Sequence, residues 1–394
     1  MIRLEIRAGN PEVVIYSSLT PDDLLEARLH EEINRAWSLR LRLPYNHAAL
    51  ARLTQHEAVR VYFLRTSVSY TIARYLGRVV SVKRDTMRTA TVDVEGRLAC
   101  LNDTVIPPFH FPEDVASDPA YQTAAATGNV VDYFLRWIIG QHNAQVGTSQ
   151  QITVGTVTVT DPNNYIARSS DSYMTTAEVI KTRLLDSALG GYYVSGRLDD
   201  TIEYYASAPV SSGRTISLGR DILSIDISED STEAFSDIVP IGSEGLTISG
   251  QPDGAIDTDL TKAGDRIYSA ARRALYGRVA RVVEWPDVTQ ASRLQTKAAA
   301  LLAAEAVPQE VSISAIDSAW VSADDNTVSP ALWTPLRIGY AYPVTSEPHG
   351  LQAQPMLLSS ITRDLLQPGR STVTLGRLPR TQTAAVANLT IKEG

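Results

Sequence analysis

The sequence predicts an α+β chain that is mainly β: two antiparallel β-barrel or sandwich domains flanking a smaller α/β module. Runs with period-two alternation, or rich in Val, Ile, Thr and Tyr, fill most of the 394 residues and are separated by Gly, Pro, Asp and Ser clusters. Helical spacing of apolar residues is confined to a few segments. A strand–turn–strand pattern near residue 80 returns near residue 360.

The expected strands, in chain order, are Trp37–Leu43, Val59–Leu64, Leu76–Arg84, Ala90–Leu98, Gln151–Thr160, Gly191–Tyr205, Ile222–Ile227, Val311–Ile316, Leu336–Pro343, Met356–Leu365 and Ser371–Leu378. The first expected helix is Pro21–Leu29, with Thr20 as N-cap, proline at the first helical position, and Asp22 and Asp23 in the first turn. The second is Asn129–Gln141, where Val130, Val131, Phe134, Trp137 and Ile138 share one face. A third runs from Thr176 to Leu189, with Thr175 and Glu178 at capping-box spacing and Gly190-Gly191 as its end. A fourth, Asp287–Ala306, is capped by Asp287 and closed by Pro308, and a weaker one covers Asp265–Leu275. The polar, turn-rich stretch Gly242–Gly264 reads as a surface loop or insertion.

The internal echo sets the domain organisation. Ser81-Val82-Lys83-Arg84-Asp85 is followed by Thr91-Val92-Asp93-Val94-Glu95-Gly96-Arg97-Leu98. Ser360-Ile361-Thr362-Arg363-Asp364 is followed by Thr372-Val373-Thr374-Leu375-Gly376-Arg377-Leu378. The two Ser-to-Gly spacings differ by one residue, and a strand is expected before each copy, at Val59–Phe63 and Leu336–Tyr340. Two copies of one β-rich domain follow, at 1–105 and 221–380, the second with an insert at about 242–306. An α/β module occupies 106–220 and a tail 381–394.

Composition narrows the function. Hydrophobic residues at 44% and charged residues at 20% are the balance of a packed globular chain, which excludes disorder as the main state. One cysteine, Cys100, excludes an intrachain disulfide and a Cys-rich metal site, and it reads as a small buried hydrophobe. No stretch reaches the ~18 apolar residues of a membrane helix, and the N-terminus lacks a signal-peptide core, so synthesis in the cytoplasm without membrane insertion is expected. A net charge of −8 argues against stable nucleic-acid binding. Arginine outnumbers lysine 31 to 5, a skew that suits bidentate interface contacts or reflects genome composition.

No catalytic, cofactor-binding or metal-ligating residue emerges. His30, His47, His56, His110, His142 and His349 form no HExxH or other close set. There is no GxSxG, P-loop or GxGxxG. The acidic pairs Asp22-Asp23, Glu31-Glu32, Asp199-Asp200, Glu229-Asp230 and Asp324-Asp325 suit turns and caps, since neighbours on a strand point to opposite faces. Tyr192-Tyr193 and Tyr204-Tyr205 flank a hairpin and read either as cross-strand packing or as a stacking face for sugars or a partner.

The order of short motifs resembles the hub family at the distal end of phage tails. The motifs are Val13-Val14-Ile15-Tyr16, Trp37-Ser38-Leu39-Arg40-Leu41-Arg42-Leu43-Pro44, Leu76-Gly77-Arg78-Val79-Val80 and Val94-Glu95-Gly96-Arg97-Leu98-Ala99-Cys100. Gly190-Gly191-Tyr192-Tyr193, Asp237-Ile238-Val239-Pro240-Ile241-Gly242, and Trp285-Pro286-Asp287 opening a helix continue the series. The family includes the structural part of siphophage tail-associated lysins and the baseplate hubs of contractile tails. The resemblance implies two tube-type β domains per subunit and a homotrimeric virion protein at the tail tip or baseplate. Its implied partners are a distal tail protein ring, receptor-binding, fibre or spike components, and the tape-measure protein. DNA would pass through transiently during ejection, along a lumen that is net acidic or neutral. Arg78 and Arg363 are expected to serve assembly more than folding. Many relatives continue into a peptidoglycan hydrolase; Arg380–Gly394 is too short for a domain, so no enzyme is expected. The alternatives are the hub portion of a tail-associated hydrolase and a carbohydrate-binding tail component.

Overall fold

A computed structural model describes residues 2–9, 12–17, 24–65, 70–86, 88–161, 166–185, 191–195, 201–209, 215–218, 222–229, 235–285, 288–304, 309–316, 336–349, 351–366 and 370–376. The chain is mainly β and forms two units, one from residues 1–226 with 312–394 and one from 227–311.

Alternation builds the first unit. Leu39, Leu41 and Leu43 are buried while Ser38, Arg40 and Arg42 are not, so one face of the strand Ser38–Pro44 is apolar and the other wet. The same pattern in its neighbours produces a 13-stranded sheet. Its main path runs Ile222–Glu229, Gln309–Ile316, Arg370–Gly376, Leu351–Asp364, Glu26–Glu32, Ser38–Pro44, Thr89–Gly96, Tyr70–Arg84, Ala58–Arg65, Ile2–Ala8 and Val13–Ser17. Ala341–Ser346 pairs beside Leu351–Asp364 and carries Ile216–Ser217 on its other edge. The apolar face buries Leu29, Leu39, Leu41, Val79, Val92 and Val94 together with Trp37.

Two expectations fail here. The segment expected as the helix Pro21–Leu29 is a strand from Glu26, antiparallel to Ser38–Pro44; Thr20 and residues 21–23 lie outside the described residues. Alternating burial of Ala27 and Leu29 against the leucines of Ser38–Pro44 outweighs the helix-start chemistry. Leu336–Tyr340 is a turn through Gly339 at φ 80°, and the strand begins at Ala341.

The echo is two hairpins with one register. Val82 opposes Val92 as Ile361 opposes Val373, Lys83 opposes Thr91 as Thr362 opposes Thr372, and Ser81 opposes Asp93 as Ser360 opposes Thr374. Each ladder slips at the same place, between Val79 and Ser81 and between Leu358 and Ser360, so Val80 and Ser359 are the bulged residues. Arg377 and Leu378 lie outside the described residues.

Residues 106–205 pack helices on short strands. Val130–Asn143 follows Asn129 as expected, and Phe134, Leu135, Ile138 and Ile139 bury its inner face. Thr175 accepts from the Glu178 amide, and the helix Thr176–Val179 continues as a π-helix over Ile180–Leu185. Leu189 and Gly190 are outside the described residues. The unexpected helix Pro119–Thr127 starts on Asp118, which accepts from Ala120, and stops at Gly128 with φ 83°. Tyr192–Ser195 and Thr201–Tyr205 form the expected hairpin, and Thr153–Val157 lies parallel to the second strand; Asp199 and Asp200 are outside the described residues.

The second unit is a five-stranded sheet under the helix Ala291–Ala304. That helix begins four residues after the expected start at Asp287, which is outside the described residues, as is Pro308. The weaker helix over Asp265–Leu275 is half strand, Arg266–Ser269, and half helix, Ala270–Tyr276, capped by Ser269. Gly242–Gly264 is no mere surface loop: it carries the strand Leu260–Ala263, and its apolar residues Ile248 and Leu260 enter the core with Ile238, Ile267 and Leu294.

Candidate functional site: a polar sheet face

The wet face of the large sheet is polar across six neighbouring strands. One transverse row reads Thr372, Thr362, His30, Ser38, Glu95 and Arg78. The next reads Asp364, Arg28, Arg40, Asp93 and Ser81, and a third Glu26, Arg42, Thr91 and Lys83. All are half-buried or exposed. The strand period of two dictates this, because each leucine or valine sent inward sends a polar neighbour outward.

Charges on this face are matched against one another. Arg40 donates to Asp93 at 3.0 Å and the Ser81 hydroxyl donates to the same carboxylate at 2.9 Å. Partial burial pushes the Asp93 carboxyl up, but the bonds from Arg40 and Ser81 outweigh it and hold the group below its ordinary range. Arg28 reaches Glu26 at 3.2 Å, and Arg35 reaches Glu32 at 3.0 Å. His30, whose Nε2 lies 3.8 Å away, and Arg35 together lower the Glu32 carboxyl. His30 Nδ1 lies 2.9 Å from the Thr362 hydroxyl, across the pairing of Glu26–Glu32 with Leu351–Asp364. Acids Glu26, Glu32, Asp93, Glu95 and Asp364 thus stand among bases Arg28, Arg40, Arg42, Arg78 and Lys83. The result is a field of hydroxyls and paired charges with no strong net sign.

Arg363 and Arg78 are not free for assembly. Arg363 is buried, donates to Glu31 and to the Leu336 carbonyl, and stands beside the Tyr75 hydroxyl. Arg78 is held between Glu95 and Asp103, and its bond to Asp103 raises its affinity for the proton further. Both sit in pairs within the chain; that of Arg363 is buried, while Arg78 and its two acids are only half-buried or exposed. Glu31 and Glu32 point to opposite faces, as neighbours on a strand must.

The tyrosine pairs are packing residues. Tyr192, Tyr204 and Tyr205 are buried, and Tyr192 donates to the Gly339 carbonyl at 2.6 Å. Tyr205 donates to Glu203 at 2.8 Å, and Glu203 also accepts from Arg337 at 2.6 Å. No ring of these three is available for stacking a sugar. Cys100 is buried, and burial raises its thiol. His47 caps a short turn at Ala49, His110 is exposed, and His142 is fully buried. Among the described residues no three His, Cys, Asp or Glu side chains gather as metal ligands, and no helix is long and apolar enough to cross a membrane.

No family model and no curated protein matches the sequence. Solved structures do. The 43 kDa tail protein of prophage MuSo2 from Shewanella oneidensis superposes with a TM-score of 0.57 at 12% identity, covering 96% of this chain and 98% of that one. A tail protein from Neisseria meningitidis MC58 gives 0.56 at 14%, with 95% and 96% covered. Prophage tail protein gp18 from Listeria monocytogenes EGD-e gives 0.52 at 12%, with 99% and 100% covered. The chain therefore shares its fold, end to end, with tail proteins.

Proposed function

We propose that the chain is a structural, non-enzymatic protein of a phage-type tail tip or baseplate, working as a homotrimeric hub. Residues 1–105 and 221–380 would be its two tube-type domains, with 106–220 between them. The polar face carries this reading. Set around a channel, hydroxyls and mutually neutralised pairs would hold neither a polyanion nor a polypeptide, so DNA and the tape-measure protein could slide past.

The ends of the large sheet support it. Val13–Ser17 is one end strand, uncharged and β-branched, with Val13 and Val14 exposed, and Ile222–Glu229 is the other. Open edges of that kind are normally covered. Joining one copy's first edge to the next copy's second would continue the sheet, and three such steps would close a ring. A distal tail ring would meet one side, and receptor-binding or spike components the other. The buried tyrosines count against a carbohydrate-binding reading.

Class averages by electron microscopy, with a solution mass, test the proposal. The expected result is a threefold ring with a central hole, alone or on addition of the neighbouring tail ring. A monomer under both conditions, or clearing of purified peptidoglycan in a zymogram, would overturn it.

A further inference from the structure

A second feature is independent of that reading. His142, in the last turn of Val130–Asn143, is fully buried at the meeting point of three other segments. Its Nδ1 lies 2.7 Å from the Thr104 hydroxyl, which lies 2.8 Å from the Thr176 hydroxyl. Its Nε2 lies 3.2 Å from the Gln150 carbonyl. The Thr176 amide also donates to the Thr104 carbonyl at 3.0 Å. One ring therefore ties a helix end to the segment before Val105, the start of the Thr176 helix and the turn Thr148–Gln150.

The chain of bonds has one consistent direction. Nε2–H donates to Gln150, Nδ1 accepts from Thr104, and Thr104 accepts from Thr176. A proton taken from solvent onto Nδ1 reverses that order. Thr104 would then accept from the ring, and one hydroxyl hydrogen, its own or that of Thr176, would need another acceptor. The charges on the surrounding elements give little help. Asp103, beside Thr104, favours the imidazolium but is engaged by Arg78. Arg97 is spent on the Ser149 carbonyl, and Glu178, in the first turn of the Thr176 helix, is exposed. On its own helix, Asp132 and Arg136 pair with each other. Burial is the largest effect on the ring and opposes its charging.

We propose that His142 is an acid-sensitive latch, whose protonation uncouples the helix Val130–Asn143 from Thr104, Thr176 and the 148–150 turn while the large sheet stays folded. Hydrogen exchange of the full chain tests it, comparing peptides over 103–106, 144–152 and 174–180 with sheet peptides over 38–44 and 89–96. Between pH 7.5 and pH 5, after correction for intrinsic exchange, the first set should gain several-fold over the second, with a ceiling of about 30-fold set by an imidazole that titrates near 6.5 once released. His142→Gln should remove the pH dependence of that ratio. An unchanged ratio in the native chain, or the same change in the variant, would overturn the proposal. Should the variant fail to fold, NMR titration of the native histidines decides: a His142 midpoint at or above the ordinary value overturns it, and a lower one supports it.

Discussion

Asn34 and Tyr193 hold each other through three hydrogen bonds. The Asn34 amide donates to the Tyr193 carbonyl at 2.9 Å, the Tyr193 amide to Asn34 Oδ1 at 2.8 Å, and the Tyr193 hydroxyl to the Asn34 carbonyl at 2.7 Å. Asn34 does this at φ 61°, a left-handed conformation that asparagine tolerates better than most residues. The clasp fixes the Tyr192–Ser195 hairpin strand to the turn between two strands of the large sheet.

Asn34→Ala loses an acceptor for the Tyr193 amide and places a Cβ residue without local compensation in the left-handed region. The expected loss is about 2–3 kcal/mol. Asn34→Gly keeps the backbone freedom and should cost about 1 kcal/mol less. Urea unfolding of both variants checks the order; alanine at or above glycine would refute it.

Gly96 and Gly77 flank Trp37 so closely that a Cβ at either would stand 2.5–2.6 Å from the indole. Gly96→Ala is expected to cost about 1–3 kcal/mol or more through overpacking. Trp37→Leu in the same chain should recover part of that loss, giving a coupling of about 1 kcal/mol in a double-mutant cycle. Additive losses would mean that the crowding is not with Trp37.

Removing one partner of the Arg363–Glu31 pair leaves a buried charge alone. Arg363→Met or Glu31→Gln should each destabilise by about 3–5 kcal/mol, and the double variant Arg363→Met with Glu31→Leu by less than their sum. Thermal unfolding and sedimentation together separate folding from assembly. A fully folded Arg363→Met that only fails to associate would restore the interface role.

In the second unit, Asp237 is fully buried against Arg273 at 2.8 Å and Ser236 at 2.9 Å. Burial pushes its carboxyl up, but Arg273 and Ser236 outweigh that and hold it below the ordinary 3.8. Its folded form binds the proton less readily than the unfolded chain does. The stability it supplies is therefore complete above that value and lost as pH falls through and below it. Asp237→Asn should destabilise the unit at pH 6, and the gap to the native chain should narrow by pH 3. A gap independent of pH would show that the carboxylate charge plays no part.

Local pattern made much of this readable. Ser-x-x-Arg-Asp and Gly-Arg-Leu, repeated in one frame, foretold two hairpins, and the shared bulge at Val80 and Ser359 shows that the frame was structural. The alternation of Ser38, Arg40 and Arg42 with leucines marked a wet face. What it could not mark was its neighbours: Asp364 lies beside Arg28, and Arg363 against Glu31, through contacts between opposite ends of the chain. Nothing near Arg363 in the sequence announces Glu31 as its partner, 332 residues away. The strand Glu26–Glu32 was missed since Pro21, Asp22 and Asp23 imitate a helix start, and its sheet neighbours are what decide its state. The helix Pro119–Thr127 was missed although Asp118-Pro119 and Gly128 bracket it, because its Ala- and Thr-rich face shows little apolar period.

The chain leaves the first unit after Asp226 and re-enters it at Ser312, and the strands that carry these crossings, Ile222–Glu229 and Gln309–Ile316, are immediate neighbours in the sheet. Everything between them is topologically one very long connection. Lengthening such a loop costs little closure entropy. The interval 230–308, between the two strands, is thus a cassette position: evolution or an engineer could exchange it for a foreign domain that spans the same two ends without rethreading the sheet.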